Sequence, residues 1–415
     1  MRAVDIFTPG KTPTVTFVDE HLKKNESLLR DALEQGGMLI SLSGPSKSGK
    51  TVFVKTVLGA DCVIAVTGAG VQSPDELWDR VFHAIGTPIP KTLSQSQQES
   101  SKVGGTGKVE GSVIVAKGEV SASVERSTAT GADVSADLAT SRLGLLIKEL
   151  ANTGMFLFID DFHYMNREVQ EEVARQIKDA IASGVQIISA SVPYRSEDVL
   201  RANPDLRGRV VGIDFDYWDA DTLQRIGELG CRALNISADP QFLRSLASEA
   251  AGSPQLMQAL CLNTCFESDH RERTDFTVTI ENSDALFKSV CNRTAHSTDY
   301  SGTMERLREG PKTRGTDRIQ YRLSDGSVGD VYTILLRALA MDPPNLHFRY
   351  AELGSRIERV CETQTPVGSS VTGSCVHVAH IANDGQERDI MEWDAEEDVL
   401  HIRDPYLLFF MRWGE

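Results

Sequence analysis

Five short apolar runs mark the first half of the chain, at residues 38–42, 62–66, 155–159, 185–191 and 210–215. They are apolar at nearly every position instead of alternating. That predicts strands buried on both faces, as in a parallel sheet covered by helices. Segments of helical spacing lie between them. Residues 50–58 follow the first run. Ser73-Pro-Asp-Glu76 is a capping box with proline in the first turn, and it opens a helix carrying Leu77, Val81 and Ile85. Leu143, Leu146, Ile147 and Leu150 predict another helix; Val169, Val173, Ile177 and Ile181 predict a fourth, closed by Gly184. Strands and helices in alternation predict an α/β fold on one parallel sheet.

After Asp219 the pattern becomes wholly helical, over 219–235, 240–251 and 254–267, which reads as a small helical lid. Residues 268–326 are polar with little periodicity. Helical spacing returns at 331–341, 348–359 and 369–382, and runs at 390–393 and 399–402 flank an acidic turn. Three helices followed by a hairpin form a winged-helix pattern. The expected organisation is an α/β domain over 1–218, a lid over 219–267, a linker with a basic segment over 268–329, and a winged-helix-like domain over 330–415. Residues 92–140 interrupt the first domain. They are rich in Gly, Ser, Thr and Ala, contain no aromatic residue, and alternate small apolar positions around Lys117-Gly-Glu. A hairpin of such small residues has too little bulk for its own core. It reads as a projecting insertion, either a partner contact or a tolerated surface feature.

Composition narrows the partners. The chain has 415 residues, room for two or three domains, and its 25% charged and 40% apolar residues are those of a globular protein. A net charge of −16 removes a global electrostatic footprint for nucleic acid. A local one remains in Arg306, Arg308, Lys312, Arg314, Arg318 and Arg322, which either contact phosphates or pair with the acidic surface. The third helix of the winged-helix pattern carries no Lys or Arg between Pro366 and Asp384, which favours protein over DNA contacts. Seven scattered cysteines and no apolar run of ~18 residues lead to the expectation of a cytoplasmic protein with reduced thiols and no membrane span.

Chemistry enters where the first strand ends. Gly44-Pro45-Ser46-Lys47-Ser48-Gly49-Lys50-Thr51 is a P-loop in its required setting of strand, loop and helix. Its backbone N–H groups and the helix N-terminus suit phosphate. Residues 44–51, with Val52 after them, are the expected cradle for ATP. Lys50 would reach the β- and γ-phosphates, and Thr51 would ligate Mg²⁺. The strand at 155–159 runs into Asp160-Asp161, a Walker B pattern. Asp160 would hold Mg²⁺ and Asp161 would orient or deprotonate the attacking water. The strand at 185–191 turns polar at its end, where Ser189, Ser191 or the nearby Arg195 could sense the γ-phosphate. Arg207 and Arg209 precede the fifth strand, placed to reach a neighbouring subunit. Phe17 and Val18 either pack on the base or staple the next helix.

This order of motifs resembles the AAA+ ATPases, above all the origin-recognition-like branch, and their relatives the STAND ATPases. The resemblance implies a five-stranded parallel sheet in the order 5-1-4-3-2 with a helical lid. It implies Ser191 as the sensor and Arg209 as an arginine finger acting in a homo-oligomer. Gly252-Ser-Pro-Gln255 resembles the STAND Gly-x-Pro contact, making Pro254 a nucleotide-binding residue. Gln255 stands where AAA+ proteins carry a sensor arginine, so slow hydrolysis is expected. The implied function is an ATP-hydrolysing oligomeric switch or remodeller acting on a protein or nucleic-acid partner. Relatives in mobile-element and antiphage defence extend that by fold analogy alone. The alternatives are a nucleic-acid loader and a nucleotide-bound scaffold for an effector.

Overall fold

The computed structural model describes residues 1–89, 141–191, 206–312, 315, 317–386 and 389–414. The insertion at 92–140, Arg195 and Arg314 lie outside the described residues.

Leu39–Ser43 (β1), Val63–Thr67 (β2), Phe156–Asp160 (β3), Gln186–Ser191 (β4) and Val210–Asp214 (β5) form one parallel sheet in the order 2-3-4-1-5. This is the 5-1-4-3-2 order read from its other edge. Side chains alternate across it, so every position of a central strand needs an apolar partner. Ile40, Phe158 and Ile188 face the helices Lys23–Gln35 (α2) and Lys50–Leu58 (α3), with Leu29 and Phe53. Leu157, Ile159 and Ile187 face Pro74–Ile85 (α4), Arg142–Leu150 (α5) and Arg167–Ala182 (α6), with Trp78, Leu146 and Val173. A short first helix, Ala3–Ile6 (α1), precedes them. Arg142, almost fully buried at the start of α5, is held by Asp75 (2.9 Å) and Asp79 (2.7 Å) of α4. That ion pair joins the helices on either side of the insertion.

The lid consists of Ala220–Ala233 (α7), Ile236–Ala238 (β6), Pro240–Glu249 (α8) and Pro254–Glu267 (α9). Val278–Ile280 (β7) then pairs in parallel with β6. The described residues of 268–329, a stretch read from sequence as a linker, include regular structure. Asp284–Ala295 (α10) and Ser301–Glu309 (α11) bury Val290, Cys291, Ala295, Met304 and Leu307 in the lid's own core. The faces they bury are filled partly by Cys, Ala and Thr, so no stripe of large residues marks them in the sequence. The N-terminal residues are likewise tied down. Ala3 N–H donates to the Arg271 carbonyl at 2.8 Å, and the Phe7 ring lies where a side chain on Gly230 of α7 would have to be.

A small hairpin, Tyr321–Arg322 (β8) and Val328–Gly329 (β9), leads into the C-terminal unit. There Val331–Leu339 (α12), His347–Arg349 (β10), Tyr350–Val360 (α13) and Gly368–Asn383 (α14) precede the hairpin Met391–Asp394 (β11) and Val399–Ile402 (β12). The three strands form an antiparallel sheet in the order 10-12-11. A last helix, Pro405–Trp413 (α15), buries the whole run from Tyr406 to Met411. One continuous core runs from Ala3 through the lid to Met411.

Candidate functional site

The site forms where β1, β3 and β4 end together. Gly44 leaves β1 so close to β5 that a side chain there would lie 2.5 Å from the Phe215 Cβ. Its N–H donates to the Ser191 carbonyl at 3.2 Å. Gly49 has φ +97°, a left-handed turn that starts α3 without strain. Trp218 closes this loop from the lid side, its Nε1–H donating to the Ser48 carbonyl at 3.0 Å.

Lys50 folds back under the loop. Its ammonium donates to the Gly44 (2.7 Å) and Pro45 (2.8 Å) carbonyls and is buried. Burial pulls its pKa down to about 8, against the opposing pull of Asp160 and Asp161. A buried ammonium bonded to carbonyls alone is a site for an anion. The Thr51 hydroxyl donates to an Asp160 carboxylate oxygen at 2.8 Å, which joins the P-loop to the end of β3. Asp161 takes a left-handed backbone, φ +58°, and its N–H donates to the other Asp160 oxygen at 2.9 Å. Its own carboxylate accepts from the Thr67 hydroxyl at 3.3 Å, at the end of β2. Ser191 is buried at the end of β4, in register with Ser43, between the P-loop strand and the Asp160 strand.

A cavity of about 600 Å³ opens over these residues. Ser46, Lys47, Thr51, Asp160, Asp161 and Ser191 line it, and Val52 and Pro254 also reach it. Phe17, Val18, Leu22, Trp218 and Ile226 give the lining an apolar part. Residues 8–13 line it too, a contribution that sequence reasoning missed. Gln258 of α9 holds this stretch: the Gln258 side-chain oxygen accepts from Thr8 N–H at 3.2 Å, and its nitrogen donates to the Thr16 hydroxyl at 2.7 Å. The apolar Ile6 and Phe7 before a Thr-Pro-Gly turn were the available signal.

Other expected contacts lie elsewhere. Lys47 is bonded to Asp404, just before α15, at 2.7 and 2.8 Å. Arg207 and Arg209 are exposed at the start of β5, and the Arg209 carbonyl accepts from Leu39 N–H at the opposite end of β1 from the P-loop. At ~3.3 Å per residue that is roughly 16 Å from the P-loop. Three described residues of the basic segment are engaged within the chain. Arg318 bonds Asp330 at 2.7 Å over the Tyr332 ring, Arg306 reaches the Asp384 carbonyl at 3.2 Å, and Arg322 faces Glu362 at 3.6 Å. No helix among the described residues is long and apolar enough to cross a membrane.

No family model and no curated protein matches the chain. Several solved structures are similar to it. Cdc6p from Pyrobaculum aerophilum is 13% identical with a TM-score of 0.44, covering 98% of this chain and 96% of that one. A Walker-type ATPase of Pyrococcus abyssi is 14% identical with a TM-score of 0.48, covering 94% and 95%. The ORC1 protein of Aeropyrum pernix, solved in complex with DNA, is 13% identical with a TM-score of 0.45, covering 99% and 96%.

Proposed function

We propose that the chain binds and hydrolyses ATP and uses the cycle to switch its assembly on a partner. The observation that carries this reading is the 2.8 Å hydrogen bond between Thr51 and Asp160, which joins the two motifs over one cavity. A volume of about 600 Å³ lined by both anion-seeking and apolar groups suits a nucleoside triphosphate. The Ser48 hydroxyl, buried with no hydrogen-bond partner among the described residues, is a further group in the loop for phosphate. The P-loop N–H groups and Lys50 would hold the β- and γ-phosphates. Phe17, Val18 and Ile226 would pack on the base, and Pro254 would carry the lid's contact.

The donor set fits magnesium: a hydroxyl and a carboxylate, both hard oxygen donors, with room for water and phosphate oxygens. Thr51 and Asp160 would hold it, and the chemistry it supplies when bound is neutralisation of phosphate charge. Asp161, fixed by Thr67, would orient the attacking water and accept its proton. Ser191 would contact the γ-phosphate from the strand between. Arg209 lies at the opposite end of the sheet from the P-loop, so it would serve a neighbour's site. The lid lacks a sensor arginine at Gln255, which favours a slow switch over a fast motor. The engaged residues of the basic segment and the lysine- and arginine-free α14 favour a protein partner over nucleic acid, and a defence setting rests on fold analogy alone.

Purified protein should turn over ATP slowly with Mg²⁺. Lys50→Ala should bind a fluorescent ATP analogue at least tenfold more weakly and lose turnover. Full binding and turnover by Lys50→Ala would overturn the reading.

A further inference from the structure

We infer that Asp404 is a displaceable counterion of the P-loop, through which phosphate occupancy is reported to the C-terminal unit. This rests on the P-loop being a nucleotide site. Lys47 has φ +62°, and its ammonium lies between the carboxylate of Asp404 and the ring of Tyr406, 4.4 Å from the ring centre. Both partners of the ion pair are largely buried, with side chains 26% and 17% exposed. Asp404 is also bonded to the Tyr300 hydroxyl at 2.8 Å and to Tyr406 N–H at 2.9 Å, the bond that caps α15. Lys47 therefore belongs both to the cavity wall and to the N-terminus of the last helix.

The far end of α15 is anchored on the lid. Arg412 pairs with Glu249 at 2.7 and 2.9 Å, and Trp413 Nε1–H donates to the same carboxylate at 2.7 Å. A second contact lies across the site: the Tyr164 hydroxyl, three residues beyond Asp161, donates to the Asp389 carbonyl at 3.4 Å. The C-terminal unit thus touches the loop that follows β1 and the turn that follows β3.

Charge decides the direction of the coupling. A nucleotide brings three or four negative charges into the loop. Lys47 gains a competing anion, and the Asp404 carboxylate gains like-charged neighbours. Occupancy weakens the pair and loosens the start of α15. By reciprocity, removing the Asp404 charge strengthens nucleotide binding by the same factor. The effect is larger for a triphosphate than for a diphosphate.

Asp404→Asn tests this, because asparagine keeps the helix cap and the volume and removes only the charge. With the full chain, binding of fluorescent ADP and a slowly hydrolysed ATP analogue should tighten about tenfold, within the usual range of coupling between sites. Backbone hydrogen exchange over 405–413 should rise in wild type when the analogue binds, and should already be raised in Asp404→Asn without it. Wild type that binds nucleotide, with Asp404→Asn binding no tighter and exchange over 405–413 unchanged, would overturn the inference. Wild type that binds neither nucleotide would overturn the nucleotide-site reading itself, and the inference with it. Should Asp404→Asn not fold, Lys47→Gln opens the same pair from the loop side. Its 405–413 exchange should no longer respond to nucleotide; a persisting response would count against the counterion role.

Discussion

Two adjacent carboxylates, Asp160 and Asp161, are proposed for different work because their neighbours differ. Asp160 accepts from Thr51 in the first turn of α3 and from the next residue's N–H. Asp161 turns aside through its left-handed backbone and accepts from Thr67. Asp161→Asn keeps an oxygen for Thr67 and loses the base. It should bind ATP as wild type does, while single-turnover hydrolysis falls by about 10²–10⁴, the usual contribution of a general base. A matching loss of binding would assign Asp161 to ligand binding instead. Lys50, Thr51, Asp160, Asp161 and Ser191 were legible in the sequence because each sits at a fixed place beside an apolar strand. The pairing of Lys47 with Asp404, and the parts played by Gln258 and Trp218, were not, because the partners lie 357, 242 and 170 residues away. No local pattern encodes a contact of that kind.

Elements were readable where burial demanded a regular pattern. β3 is apolar at four of its five positions because helices cover both faces, and its run is visible at once. α10 and α11 bury partial faces filled with small residues, and they read as linker. The C-terminal sheet holds a pair the sequence does not announce. His347 and His401 face each other across β10 and β12, Nδ1 to Nδ1 at 3.2 Å, with Glu392 of β11 opposite His401. Burial, and then the neighbouring His347, holds His401 down to about 4, and burial also lowers His347. The folded values lie below the ordinary 6.5, so the unfolded chain takes up more protons between them. This contribution to stability is complete above about pH 6.5 and is lost as pH falls towards 4. The unfolding midpoint of wild type should therefore drop more steeply from pH 7 to 4.5 than that of His401→Gln. Parallel curves would show that the pair does not titrate with unfolding.

At the scale of the whole molecule, the lid, the helices of 268–329 and the C-terminal unit share one core, and that body meets the sheet at the cavity over the P-loop. Motion of the lid is therefore expected to be felt in α15, and the reverse. Arg209 is exposed at the start of the edge strand β5, at the end of the sheet remote from the P-loop, where the proposed function has it complete the site of a second copy that docks. The central claim is that nucleotide state controls that docking. Mass photometry of the full chain with ADP and then with a slowly hydrolysed ATP analogue tests it most directly. The account predicts a single species near 45.5 kDa with ADP and discrete multiples of that mass with the analogue. The same mass distribution with both nucleotides, at concentrations where both are bound, would contradict it.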